Sequence, residues 1–132
     1  MQIKDTILVV DDEQLVLSAI AREIGREFPV ILVQTYIEAI NLMSASTTWR
    51  AIVSDLDLGH EPSGLSLLRV AKERLPTSRR ILISGSLTRE EAENHIKSGD
   101  IDAFIAKPWP ANGLIQLLRQ ILRDTLTAPI SS

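Results

Sequence analysis

The segment Ile7-Leu8-Val9-Val10-Asp11-Asp12-Glu13 places four apolar residues directly before three acidic ones. Its apolar part lacks the in/out alternation of a half-exposed strand, so we expect a buried strand of a parallel sheet. Further short apolar runs of the same kind follow at Val30–Val33, Ala51–Val53, Ile81–Ile83 and Ala103–Ala106. The sequence therefore predicts several short buried strands, with acidic residues at the end of the first.

Stretches with helical periodicity lie between and after these runs, at residues 13–27, 37–44, 65–74, 89–98 and 111–126. Thr88 and Glu91 have the spacing of a helix capping box, and Gly99 is placed to end that helix. Strands that alternate with helices predict an α/β fold, a (βα)5 doubly wound parallel sheet with helices on both faces. We expect the strand order 2-1-3-4-5, with a ligand site between strands 1 and 3 at their carboxyl ends.

Length and composition limit the classes of protein that the chain can represent. Its 132 residues, 45% of them hydrophobic, predict a single domain over residues 1–126 and a tail or linker over 127–132. The sequence contains no cysteine, and its apolar runs are far shorter than the about 20 residues of a membrane span. The polar N-terminus has no signal-peptide pattern, and a net charge of -3 without a basic stripe disfavours direct nucleic-acid binding. We expect a cytoplasmic protein that binds neither membrane nor nucleic acid.

Acidic residues end the two strands that flank the predicted ligand site. Strand 1 ends in Asp11-Asp12-Glu13 and strand 3 ends in Asp55, so three or more carboxylates converge there. Carboxylates that lie a few ångströms apart raise one another's pKa and oppose folding unless a cation joins them. Mg²⁺ binds one or two carboxylates together with phosphate oxygens, so it is the cation that we expect here.

Two more polar residues follow the next strands and predict the chemistry of this edge. Ser84 would bring a hydroxyl from strand 4, and Lys107 would bring an ammonium from strand 5. A carboxylate nucleophile, a metal, a hydroxyl and a lysine form a site for phosphoryl transfer, in which positioning and neutralisation of charge provide the catalysis. Taken alone, each residue has an ordinary explanation; Asp12, for example, could cap the first helix.

Four segments in this order resemble the receiver domain of two-component response regulators. They are Ile7-Leu8-Val9-Val10-Asp11-Asp12-Glu13, Ile52-Val53-Ser54-Asp55-Leu56, Ile81-Leu82-Ile83-Ser84-Gly85 and Ala103-Phe104-Ile105-Ala106-Lys107-Pro108. The resemblance covers the chain from Lys4 to about Leu126 and implies a flavodoxin-like fold. It also implies a phosphoprotein that acts as a switch and catalyses only its own phosphorylation and dephosphorylation.

The resemblance assigns a role to each site residue. Asp55 would be the phosphoacceptor. Asp11, Asp12, Asp55 and the carbonyl group of Asp57 would bind Mg²⁺. Ser84 would bind the phosphoryl group, Lys107 would pair with it, Phe104 would be the aromatic switch residue, and the bond to Pro108 would be cis.

The resemblance also implies partners. The phosphodonor would be a sensor histidine kinase or a phosphotransfer protein, and a C-terminal output domain could follow in a longer chain. We expect phosphorylation to alter the surface of helix 4, strand 5 and helix 5, near Ile115 and Leu122, where a partner or a second copy would bind.

Two departures and two alternatives stay open at this point. The loop Leu56–Gly64 is one residue longer than is usual in the family, and Trp109 replaces the more usual Phe. Asp55 and Asp57 also have the spacing of haloacid dehalogenase-like phosphatases, although Gly59 occupies the place where those enzymes carry Thr or Val. A pseudo-receiver that binds a partner without phosphorylation is the other alternative. A flavodoxin-type flavin binder is disfavoured, because the loop after strand 1 is acidic.

Overall fold

The computed structural model describes residues 5–46 and 48–127. In chain order its elements are β1 (Ile7–Val10), α1 (Gln14–Ile24), β2 (Val30–Val33), α2 (Tyr36–Ala45), β3 (Ala51–Asp55), α3 (Gly64–Arg74), β4 (Arg79–Ser84), α4 (Arg89–Lys97), β5 (Ala103–Ala106) and α5 (Gly113–Thr127). The tail or linker predicted for residues 127–132 lies outside the described residues, apart from Thr127, which ends α5.

The strands form one parallel sheet in the order β2-β1-β3-β4-β5, which confirms the predicted fold class. β1 and β3 are neighbours, and Val10 is paired with Ser54. The residues that follow these positions, Asp11 and Asp55, therefore lie side by side at the carboxyl edge of the sheet. The predicted ligand site is at this edge, because connections on opposite faces of the sheet diverge there.

The sheet separates two apolar core layers. One layer joins the sheet to α1 and α5, through Leu17, Ile20, Ile24, Leu114, Ile115, Leu118 and Leu122. The other joins it to α2 and α3, through Ala39, Met43, Leu67, Leu68 and Ala71. Ile115 and Leu122 are 7% and 2% exposed. They therefore belong to the core of the unmodified domain, and the expected change of the surface of α4, β5 and α5 on phosphorylation stays a prediction.

The apolar runs marked only part of β3 and β4. β3 continues through Ser54 to Asp55, which confirms that strand 3 ends in Asp55. β4 begins at Arg79 and includes Arg80, which is only 9% exposed. The Arg80 guanidinium donates hydrogen bonds to the carbonyl oxygens of Asp100 at 3.1 Å and Gly99 at 2.9 Å. A buried arginine with these partners is compatible with a central strand.

Two helices are shorter than the sequence predicted. α1 ends at Ile24, and Gly25 is its C-terminal capping residue. α5 begins at Gly113 rather than at residue 111, after a turn in which the Gly113 N–H donates to the carbonyl oxygen of Pro110. Helix ends depend on local capping as well as on periodicity, which is why the apolar pattern alone placed these two ends wrongly.

α4 has the termini that the sequence predicted but little apolar contact. Thr88 and Glu91 form the capping box, and Gly99 after the helix has a φ of 83°. Ala92 is buried, whereas Ile96 is 41% exposed. None of the helices in the described part of the chain is long and apolar enough to cross a membrane.

Candidate functional site

Four carboxylates meet at the carboxyl edge of β1 and β3. One oxygen from each of Asp11, Asp12, Glu13 and Asp55 lies within 4.8 Å of the others. Asp11 is fully buried and Asp55 is 5% exposed, whereas Asp12 and Glu13 face solvent. The structure thus brings together the carboxylates that end strands 1 and 3, including Glu13, which was not among the predicted metal ligands.

Lys107, which follows β5, places its ammonium among these acids. Its Nζ donates a hydrogen bond to Asp55 Oδ2 at 2.7 Å and to Asp11 Oδ2 at 3.3 Å, and it lies 3.9 Å from Glu13 Oε1. Burial lowers the pKa of Lys107, but the hydrogen bond to Asp55 and the charges of Asp11 and Asp55 outweigh it. The net pKa is above the ordinary value, so the lysine is a permanent cation beside Asp55.

The pKa of Asp11 is raised by its position in the cluster. Burial raises its pKa to about 6, and the charge of Asp55 adds to this rise. The Glu13 N–H, which donates to Asp11 Oδ1 at 2.9 Å, and Lys107 act in the opposite direction without cancelling it. The positive charge of Lys107 alone therefore does not offset the negative charge of the acid cluster. A further cation near Asp11 would favour the ionised form of its carboxyl group.

The donor set fits Mg²⁺. Hard divalent cations bind carboxylate oxygens, and Mg²⁺ retains several water molecules, which the exposed sides of Asp12 and Glu13 would allow. Asp12 does not cap α1, because the N-cap residue is Glu13 and its side chain makes no capping hydrogen bond. The ordinary explanation of Asp12 as a helix cap is therefore wrong, and its carboxylate belongs to the acid cluster.

The carboxylate of Asp57 is not part of this cluster. It accepts a hydrogen bond from the Gly59 N–H at 2.8 Å, while the Asp57 N–H approaches Asp55 Oδ1 at 3.4 Å. Gly59 has a φ of 87°, and a Cβ there would lie 2.8 Å from Asp12 Oδ2. The loop after β3 thus closes tightly over the acids, and any residue larger than glycine at position 59 would be strained.

Ser84 and Phe104 lie on the neighbouring strands. Ser84 ends β4 and is 2% exposed, and its Oγ accepts hydrogen bonds from the N–H groups of Ser86 at 3.0 Å and Leu87 at 3.2 Å. Phe104 is half-buried on β5, paired with Leu82, and packs against the core layer of α2 and α3. The Lys107–Pro108 peptide bond is cis, as is Glu61–Pro62, for which the sequence analysis made no prediction.

Sequence reasoning missed a second polar contact beside the site. Glu23 of α1 accepts hydrogen bonds from Trp109 Nε1 and from the Ile115 N–H, both at 2.9 Å. These partners are 86 and 92 residues away in the sequence. No local motif marks such a contact.

Comparison with known proteins agrees with this geometry. The sequence matches the response regulator receiver domain family over residues 7–119. It is 32% identical over 123 residues to the hydrogenase transcriptional regulatory protein HoxA of Bradyrhizobium diazoefficiens, covering 93% of this chain and 25% of HoxA. The chain thus spans about a quarter of the length of that relative.

Two solved structures illustrate the likeness of the fold. A CheY-like receiver domain protein from Methanospirillum hungatei matches with a TM-score of 0.82 and 22% identity, covering 94% of this chain and 98% of that one. A response regulator from Burkholderia pseudomallei, solved with a phosphorylated aspartic acid, a calcium ion and citrate, matches with a TM-score of 0.75. Its identity is 26%, over 95% of this chain and 72% of that one. The match over residues 7–119, the sheet order and the acid cluster lead to one conclusion: the chain belongs to the response regulator receiver domain family of two-component systems.

Proposed function

We propose that Asp55 accepts a phosphoryl group in the presence of Mg²⁺ and that the modified domain controls an output partner. The observation that carries this proposal is the position of the Asp55 carboxylate. It ends β3, is almost buried, lies in a cluster of four acids and is 2.7 Å from the Lys107 ammonium. A nearly buried nucleophile with a fixed cation beside it suits the transfer of an anionic group.

In the proposed reaction an Asp55 carboxylate oxygen forms a bond to phosphorus. The bond between phosphorus and the donor atom breaks, and its electron pair leaves with the donor, a phosphohistidine of a sensor kinase or phosphotransfer protein. The Lys107 ammonium would shift from the carboxylate towards a phosphoryl oxygen and neutralise its charge. Asp11, Asp12, Asp55 and the carbonyl group of Asp57 would hold Mg²⁺, with Glu13 close by; the ion would supply further neutralisation of phosphoryl charge.

Ser84 would connect the modified site to α4. Its hydroxyl oxygen accepts hydrogen bonds from the loop before α4, through the N–H groups of Ser86 and Leu87. If this hydroxyl turns to donate to a phosphoryl oxygen, those two hydrogen bonds weaken and the loop can rearrange. Phe104 would move into the space vacated beside β4. The face of α4, β5 and α5 would then bind a partner or a second copy of the chain.

The control of an output domain is proposed from the relatives. HoxA is named as a transcriptional regulator and is about four times as long as the matched region, so a receiver domain there is one part of a larger protein. We propose the same arrangement for the protein that contains this chain, and a cytoplasmic location. The absence of cysteine is consistent with a reducing compartment.

Intact-mass analysis after incubation with acetyl phosphate and Mg²⁺ tests the assignment of Asp55. We expect the wild type to gain one phosphoryl group, Asp55→Asn to gain none, and Asp57→Asn to remain labelled, because only the carbonyl group of Asp57 is proposed as a ligand. Equal labelling of the wild type and Asp55→Asn would refute the proposal.

The same variants distinguish the phosphatase alternative. A dehalogenase-like enzyme would hydrolyse p-nitrophenyl phosphate over many turnovers and would lose this activity in Asp57→Asn. We expect no such turnover, and the family match argues against that alternative. A pseudo-receiver would show neither labelling nor turnover.

A further inference from the structure

Glu23 makes a contact that the proposed phosphoryl transfer does not itself explain. It lies near the end of α1 and is half-buried, and its two carboxylate oxygens bind different groups of the segment that follows β5. Oε1 accepts from the Trp109 indole and Oε2 accepts from the Ile115 N–H. A single carboxylate thus joins α1 both to the loop after Lys107 and to the first turn of α5.

The segment between Lys107 and α5 has few other means of holding its position. Pro108 and Pro110 have no N–H to donate. The Lys107 N–H donates to the Ser84 carbonyl oxygen, and the Gly113 N–H donates to the carbonyl oxygen of Pro110. The Trp109 ring packs against Gly113, where a Cβ would come within 3.2 Å of it. The middle of the loop is therefore held through the Trp109 side chain and its acceptor, Glu23.

This loop carries Lys107. The Lys107 ammonium reaches Asp55 and Asp11 across the full side chain, so a shift of the Lys107 backbone changes the geometry in which it can reach them. Glu23, Lys107 and Trp109 line the same groove, and Trp109 is only two residues beyond Lys107. A displacement of about 1 Å in a group that acts in the transition state can reduce a rate about 100-fold.

We propose that Glu23 is a positioning residue for phosphoryl transfer, which fixes the Lys107 backbone through Trp109 and the first turn of α5. The inference rests on the proposed function of Asp55 and Lys107. Glu23 touches neither the phosphoryl group nor Asp55; it acts through Lys107. It follows that Glu23 should matter for the rate only while Lys107 is present.

A double-mutant cycle tests this dependence. The rate of labelling by acetyl phosphate is measured by intact mass across donor concentrations for the wild type, Glu23→Gln, Lys107→Met and the double variant. Glutamine retains one acceptor oxygen in place of two. We expect Glu23→Gln to lower the maximal rate about 10-fold with little change in the donor concentration at half-maximal rate. In the Lys107→Met background the same change should alter the rate less than about 2-fold.

Matched variants separate positioning from general stability. Glu27→Gln removes an exposed ion pair between Glu27, which follows α1, and Arg119 of α5, and should leave the rate at the wild-type value. The indole N–H resonances of Trp49 and Trp109 provide a direct readout of the contact. Trp109→Phe assigns them, and Glu23→Gln should move only the Trp109 signal, because the Trp49 indole has no hydrogen-bond partner in the structure.

Each outcome decides one question. If the wild type is not labelled on Asp55, the proposed function fails. If it is labelled and Glu23→Gln retains the wild-type rate, or slows the reaction equally with and without Lys107, the positioning role is wrong. An unchanged Trp109 resonance in Glu23→Gln would also overturn it. If Glu23→Gln melts below the assay temperature, Trp109→Phe, which keeps an aromatic ring and loses the indole N–H, must show the same dependence on Lys107.

Discussion

Asp11 shows at the scale of one residue how the site opposes folding and favours a cation. Its carboxylate is fully buried, beside Asp55, with a single ammonium near both. Burial and the neighbouring charge raise the pKa of Asp11 to about 6 from an ordinary value of 3.8. The ionised form is therefore less stable in the folded domain than in the unfolded chain.

The pH dependence of stability should reveal this in metal-free buffer. Between pH 4 and pH 6 the folded state holds the Asp11 proton that the unfolded chain has released, so the contribution of Asp11 to stability falls as pH rises. We expect this loss to reach about 3 kcal/mol in the free energy of unfolding by pH 7. It is measured by urea denaturation from pH 4 to pH 7.5.

Asp11→Asn is the matched variant, because its amide oxygen can still accept from the Glu13 N–H. The stability of the wild type minus that of Asp11→Asn should fall as pH rises, since other titrating groups contribute to both proteins. A difference that is constant over this range would contradict the raised pKa.

At the scale of elements, α3 and α4 differ in how firmly they are held. α3 buries Leu67, Leu68 and Ala71, whereas α4 buries Ala92 alone among its described residues. A fully buried leucine contributes about 1.5–3 kcal/mol. The capping box and Gly99 stabilise α4 as a helix, but they do not attach it to the sheet. Displacing α4 from the sheet should therefore cost little free energy, so a small local event can move it.

Hydrogen exchange should show this difference and its link to Asp55. We expect α4 amides to exchange through openings of lower free energy than those of α3, and phosphorylation to change exchange most over residues 84–97. Ser84→Ala should abolish the phosphorylation-dependent change without preventing labelling of Asp55. Ser44→Ala is the control, because it removes an exposed serine hydroxyl on α2 that donates to the Ile40 carbonyl oxygen. A response confined to residues 56–64 would refute this route.

At the scale of the whole molecule, the acid cluster links cation binding to global stability. Any ligand that binds the folded state alone stabilises it, by about 2.7 kcal/mol at 100 times its dissociation constant. Mg²⁺ should therefore raise the melting temperature in a saturable way. Asp12→Asn should remove most of that rise, and Glu90→Gln, an exposed acid on α4, should retain it. Equal Mg²⁺ effects in all three proteins would argue against binding at the cluster.

Much of the fold could be predicted from local features of the sequence. The apolar runs gave the limits of β1, β2 and β5. β1 is buried throughout, as an apolar run in a parallel sheet predicts, whereas the edge strands β2 and β5 are only partly buried. Thr88 and Glu91 predicted the start of α4 through a hydrogen-bond pattern that spans only three residues. β4 was harder, because Arg80 is buried by carbonyl groups that lie about 20 residues further along the chain.

The sequence by itself determined which residues stand at the carboxyl ends of the strands, and the rule that parallel strands end on one edge then brought Asp11, Asp55, Ser84 and Lys107 together. Only the tertiary structure decided how side chains from distant elements meet. It brought Glu23 into contact with Trp109 and Ile115 and raised the pKa of Asp11. It also buried Ile115 and Leu122 in the core. The physical reason is that strand and helix patterns are set by neighbours within a few residues. Burial and hydrogen-bond partners are set by how α1 and α5 pack, more than 80 residues apart in the sequence.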